Sequence, residues 1–193
     1  MAARIQNMTE GKPLKLILAF SLPLMIGNVF QQLYTVVDTM VVGQALGVGA
    51  LAALGAADWL NWMILGTIQG FTQGFSIKMS HEFGAGDYKR LRKTVANSLL
   101  LALVTSIVLL LFSQFFARPI LELLQTPDLI IEDSLSYLRI MFAGIPVVMA
   151  YNILASILRA LGDGKTPLYA MVVAAVINVI LDLIFVLGFH WGI

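Results

Sequence analysis

The sequence predicts an all-α bundle of membrane-spanning helices. Two observations carry that prediction. Apolar residues make up 59% of the 193-residue chain and charged residues only 12%, where a soluble domain carries about 25% charged residues. Mean hydropathy is +0.88. The apolar residues also run in five stretches too long for the core helices of a globular domain, each with the roughly 20 residues that a bilayer crossing needs. In hydrocarbon every backbone N–H and C=O must bond within its own segment, which makes these stretches helices.

The first segment covers about residues 14–43. It is longer than one crossing needs, so it is expected to tilt, bend or lie partly in the interface. Pro23 falls inside it, where a missing N–H and a ring clash favour a kink. The polar start "MAARIQNMTEGKP" lacks the short apolar core of a signal peptide, so this segment reads as a retained membrane helix. The second segment covers 50–77, after the uncharged loop "GQALGVG". The third covers 94–116, after a turn at Gly84 and Gly86. The fourth covers 137–158, with Pro146 as a second kink. The fifth covers 167–189. Its entry "LGDGKTP" lacks the spacing of a phosphate-binding loop and a preceding strand, and reads as a tight turn with Pro167 at the helix start.

Charge placement orients the chain. Arg4, Lys12, Lys15, Lys78, Lys89, Arg90, Arg92, Lys93, Arg159 and Lys165 fall at one end of the segments. Arg118 falls at the other, among Glu122, Asp128, Glu132 and Asp133, and Arg139 sits near or in a helix. The positive-inside rule then puts the N-terminus in the cytoplasm of a multi-pass inner (plasma) membrane protein. With no cysteine there is neither a disulfide nor a thiolate metal site, and His81 and His190 lack metal-ligand spacing. A net charge of +1 offers no argument for a nucleic-acid partner, and none is expected.

The membrane segments keep three carboxylates, Asp38, Asp58 and Asp182, each costing about 2.5–3.5 kcal/mol on insertion scales. Such acids are usually functional. Asp38 and Asp182 both lie late in outward-running segments, so they are expected at similar depth, outside the midplane. Asn28, Gln31, Thr35 and Asp38 follow steps of three, four and three and share a helix face. Asn178 and Asp182 are four apart. Tyr151, Asn152 and Ser156 add polar groups to the fourth segment. An oxygen-rich cluster of this kind suits Na⁺, or a carboxylate that holds a proton because burial disfavours its charge. Asp58, beside Trp59 and Trp62, reads equally well as part of an interfacial belt. For Asn28, Gln31 and Asn152, bonding between helices is as good an account as a site.

Three stretches, "SLPLMIGNVFQQLYTVVDTMVVGQALGVGALAALG", "EFGAGDYKRLRKTVANSLLL" and "RALGDGKTPLYAMVVAAVINVILDLIFVLG", together resemble the multidrug and toxic compound extrusion (MATE) family, closest to its bacterial DinF-like branch. The resemblance runs from about Leu14 to the end. It implies the first five helices of a six-helix N-terminal lobe, with the sixth helix and the C-terminal lobe absent, so the chain is expected to be a fragment. It implies an antiporter, not an enzyme, needing no cofactor, that expels cationic, amphipathic compounds in exchange for Na⁺ or H⁺. Asp38, Asn178, Asp182 and Asn152 match the family's ion- or proton-binding positions. Asn28, Gln31, Thr35 and Tyr151 are candidates for the substrate cavity. The rival readings are a lipid-linked sugar flippase of the same superfamily, which would want a cationic cavity, and an intramembrane aspartyl protease. The only Gly-Asp-Gly, at 162–164, falls in a cytoplasmic loop, not in a membrane helix as a protease would need.

Overall fold

The computed structural model describes residues 12–182, 184 and 185, with side chains given for all of these except 34, 38, 41, 42, 45, 46, 48, 50 and 182. Its helices are α1 (Pro13–Gly84), α2 (Tyr88–Leu123), α3 (Asp128–Ala143), α4 (Ile145–Ala160) and α5 (Lys165–Asp182). α1 contains both of the first two expected segments. Its helix breaks at Gly47, whose φ of 84° and ψ of −174° lie outside the helical region. Glycine is the residue that adopts such a φ without a Cβ penalty. The chain reverses there, so α1 has an outgoing arm before Gly47 and a returning arm after it. Pro23 is carried inside the outgoing arm, and Gly47 is the position where α1 leaves helical dihedrals.

The other boundaries follow from local chemistry. Gly86 turns the chain at φ 71°, and Asp87 caps α2 by accepting the Arg90 N–H at 3.0 Å, which satisfies an orphan donor of the first turn. Gln125 at φ 56° and Pro127 end the α2–α3 corner. Gly144 and Pro146 separate α3 from α4, which meet at 46°. Pro146 has no N–H to continue the α3 ladder. The expected fourth segment, 137–158, is therefore the membrane part of a bent pair running from Asp128 to Ala160. α5 starts at Lys165, and the expected end of the fifth segment lies outside the described residues.

Three contacts fix the levels of the helices. The Ser76 hydroxyl donates to the Ser156 carbonyl (3.4 Å), the Gln114 amide to the Arg139 carbonyl (2.8 Å), and the buried Ser134 hydroxyl to the Ala53 carbonyl (3.1 Å). They bring Lys78 and Arg159 to one end, where Met79, Leu91 and Ala160 pack together, two residues short of Lys93. They bring Asp58, Gln114 and Arg139 to the other end. The intervals 58–78, 93–114 and 139–159 each advance about 20 residues, or about 30 Å, and contain no charged residue between their ends. Three helices thus give the same thickness, that of the hydrocarbon core. α2 and α3 extend beyond it at the Arg118 end, where Arg118 pairs with Glu122 at 3.0 Å and Glu132 at 3.1 Å.

The core draws on the returning arm of α1 (Ala57, Leu60, Ile64, Ile68), α2 (Ala102, Ala117, Leu121), α3 (Ile131, Leu135, Leu138, Phe142) and α4 (Ile145, Met149, Ile153). α2 presents Thr94, Ser98, Ala102, Ser106, Ser113 and Ala117 to it, all buried. Small residues let membrane helices approach closely, and the hydroxyls bond back to their own helix, as Ser98 does to the Thr94 carbonyl at 2.6 Å. Among the described residues neither core cluster includes the outgoing arm of α1 or α5.

Candidate functional site

The outgoing arm and α5 are the elements that carry most of the candidate residues, and the arm packs closely against α5 and the turn before it. Phe20 lies against Gly164, where a Cβ would sit 3.3 Å from its ring. Gly27 lies against Leu168 and Met171. The two helices run parallel; the Phe20–Gly164 and Gly27–Met171 contacts have an offset of 144 residues and the Gly27–Leu168 contact one of 141.

The turn before α5 is tightly built. Gly162 has φ 84°, and Asp163 is 8% exposed. Its Oδ1 accepts the N–H groups of Lys165 (3.1 Å) and Thr166 (3.0 Å), and its Oδ2 accepts the Thr166 hydroxyl (2.6 Å). Burial pushes this carboxyl up. The hydrogen bonds from Thr166 and Lys165, with the Lys165 charge, outweigh burial and hold it below its ordinary value. This carboxylate anchors the start of α5 and is not a membrane-embedded candidate.

Asn178 lies 13 residues into α5, half-buried. Its Oδ1 is buried and finds no hydrogen-bond partner among the described residues, a costly state for an amide oxygen. Asn152 donates from Nδ2 to the Val148 carbonyl of its own helix at 2.9 Å. It sits seven residues before Arg159, about 10 Å from that end, whereas Asn178 is about 20 Å from the start of α5. The structure therefore separates these two amides in depth. Asp38 and Asp182 lie in α1 and at the end of α5, and their side chains are outside the described set. Tyr151, partly buried, donates to the Pro167 carbonyl at 3.5 Å.

Asn28 lines an open groove of about 290 Å³ with Val29, Gln32, Leu33 and Val36. This groove is on the side of the arm turned away from α5. Gln31 and Thr35 lie outside it and are exposed, Thr35 donating to the Gln31 carbonyl at 3.1 Å. Gln32, Gln69 and Gln73 are further exposed amides in apolar helices. A search centred on carboxylates passes over them. Their signal is an uncharged polar side chain on a face that lipid would not tolerate cheaply. Arg139 and Asp58 stand at the boundary of the apolar slab opposite Lys78 and Arg159, level with Gln114. Trp59 and Trp62 are 78% and 69% exposed at that level.

The bundle and its long apolar helices define a multi-pass membrane protein. The MatE family model matches residues 23–184, and the chain belongs to that family, one of membrane transporters and not of enzymes. It is 34% identical over 169 residues to the probable multidrug resistance protein YoeA of Bacillus subtilis, covering 88% of this chain and 36% of that one. An outward-facing multidrug resistance MATE family transporter of the MOP superfamily superposes with a TM-score of 0.91 at 26% identity, over 100% of this chain and 42% of its own. A MOP superfamily transporter from Pyrococcus furiosus, described as having a binding pocket of reverse polarity that suggests a different function, gives 0.91 at 27% identity, over 100% and 42%. The chain thus spans about two fifths of the length of these relatives.

Proposed function

We propose that this chain forms the ion-binding lobe of a multidrug efflux antiporter. The transporter exports cationic, amphipathic compounds in exchange for Na⁺ or H⁺, with its N-terminus in the cytoplasm. The α1–α5 register carries this reading. The offset of 144 residues seen at Phe20–Gly164 and Gly27–Met171 also relates position 38 to position 182. Each is eleven residues beyond the Gly27–Met171 contact, three turns and about 20° further on a regular helical repeat, which supports placing both acids on the side where the two helices meet. Two acids at one level in a poorly solvated site raise each other's cost of ionisation, which a proton or a Na⁺ relieves. The unpartnered Asn178 Oδ1, one turn before position 182, is an oxygen suited to the same cation. In this reading Asn152 is an outlying member, nearer the cytoplasmic side.

Cargo charge follows from the same placement. With Arg139 at the outer boundary, the three charge-free intervals contribute no cation to the membrane interior, and the acids at 38 and 182 remain. That favours cationic cargo over the pyrophosphate of a lipid-linked sugar. The groove on the arm, lined by Asn28, Val29, Gln32, Leu33 and Val36, offers an apolar surface for the hydrophobic part of such a substrate. The test is dye efflux from proteoliposomes holding a full-length transporter with this chain. Asp38→Asn and Asp182→Asn are each expected to abolish gradient-driven efflux, and a wild-type rate in either would reject the reading.

A further inference from the structure

Gly27 is the one fully buried residue described between Pro13 and Val37; the rest of that arm is exposed or half-exposed. A Cβ at position 27 would lie 2.6 Å from Met171 Cε and 3.2 Å from Leu168 Cδ1. The first distance obliges the flexible end of Met171 to move, and the second, against Leu168, is tight. The contact therefore exists in this form because residue 27 has no side chain. Among the described residues nothing from the arm enters either core cluster, so the arm is held by its packing on α5 and the turn before it, and this contact is the tightest glycine approach within that packing.

We propose that Gly27 is a positioning residue for the coupling-ion site: its bare backbone seats α1 on α5 in the register that levels positions 38 and 182. The proposal rests on the ion-site reading above. A methyl group at 27 pushes against the end of Met171 and against Leu168. The flexible Met171 side chain absorbs part of the strain, and the remainder separates or slides the helices. Ion coordination depends on oxygen positions to a fraction of an ångström, whereas a cavity for varied amphipathic cargo tolerates small shifts. The damage is therefore selective.

The test uses full-length transporter in proteoliposomes. It measures the half-saturating concentration of the driving cation and, separately, that of an exported cationic dye. Gly27→Ala is expected to raise the first by about tenfold or more and leave the second within about twofold. Adding Met171→Ala to Gly27→Ala removes the clashing atom and is expected to restore cation affinity. Met171→Phe with Gly27 intact crowds the contact from the other side and is expected to repeat the selective loss, so the test stands even if Gly27→Ala does not accumulate. Unchanged cation affinity in Gly27→Ala and Met171→Phe, or an equal loss for cation and dye, overturns the proposal. So does failure of Met171→Ala to rescue. Asp38→Asn in the same assay separates the two ideas. If it keeps normal cation dependence, the ion-site reading fails and takes the proposal with it. If it loses that dependence while the Gly27 series is silent, the positioning role alone fails.

Discussion

Replacing Asp163 tests how the bundle holds its least buried helix. α5 adds no residue to the described core, and its N-terminal turn is fastened by one carboxylate, 8% exposed, that accepts three hydrogen bonds of 2.6–3.1 Å. Asp163→Ala strands two backbone donors of the first turn and the Thr166 hydroxyl. Loss of a cap costs about 0.5–2 kcal/mol, and hydrogen bonds to a charged group are worth about 1.5–3 kcal/mol. These overlap, so the expected loss is about 2 kcal/mol, or about 4–8 °C in the unfolding midpoint of a chain this size. Asp163→Asn keeps a neutral acceptor and is expected to lose about half as much. The pH dependence has a definite sign. The folded carboxyl is held below its ordinary value, so its contribution is complete above the unfolded pKa of about 3.9. It disappears as pH falls through the lower folded value. Thermal unfolding in detergent at pH 7 is expected to show the full gap between wild type and Asp163→Ala, and the gap narrows in strong acid. Equal midpoints at pH 7, or a gap that widens on acidification, would refute the reasoning.

Two other predictions follow from the packing and the charge pattern. Phe142, 1% exposed where α2, α3 and α4 meet, leaves a cavity when truncated. Phe142→Ala should cost about 3–5 kcal/mol, read as a lowered unfolding midpoint, whereas Phe115→Ala, at a ring 76% exposed, should cost much less. The chain has no cysteine, so single cysteines report topology without background. In intact cells Asp128→Cys is expected to react with an impermeant maleimide and Lys89→Cys only after permeabilisation, and the reverse pattern would contradict the cytoplasmic N-terminus.

Hydropathy reads the solvent and not the end of a helix. The expected segments 94–116 and 137–158 nearly coincide with the charge-free intervals 93–114 and 139–159, because charged residues mark where hydrocarbon stops. The helices continue beyond it. α2 ends at a corner marked by Gln125 and Pro127, and α3 begins at Asp128, in water-facing sequence with no hydropathy signal. The bend at Pro146 was legible, because a missing N–H acts locally whatever surrounds it. Pro23 was a weaker guide. The backbone there keeps helical dihedrals, and the break in α1 falls at Gly47, inside a stretch that reads as a simple loop. Among the candidate residues, the carboxylates stand out in the sequence because charge in a membrane is costly wherever it sits. Gly27 was not, since a glycine in an apolar helix becomes informative only when the partner helix and its Met171 are in place. The serine stripe of α2 was hidden for the same reason: its residues look unremarkable until their common burial shows the face they share.

The measurement closest to the central claim is gradient-driven efflux of a cationic dye by full-length transporter in proteoliposomes, comparing wild type with Asp38→Asn and Asp182→Asn at matched protein density. Imposing an inward Na⁺ or H⁺ gradient should drive efflux in the wild type. Each substitution should reduce it to the level seen without a gradient, while dye binding persists. Efflux at the wild-type rate in either variant would contradict the account, which requires both acids to hold the coupling ion between α1 and α5.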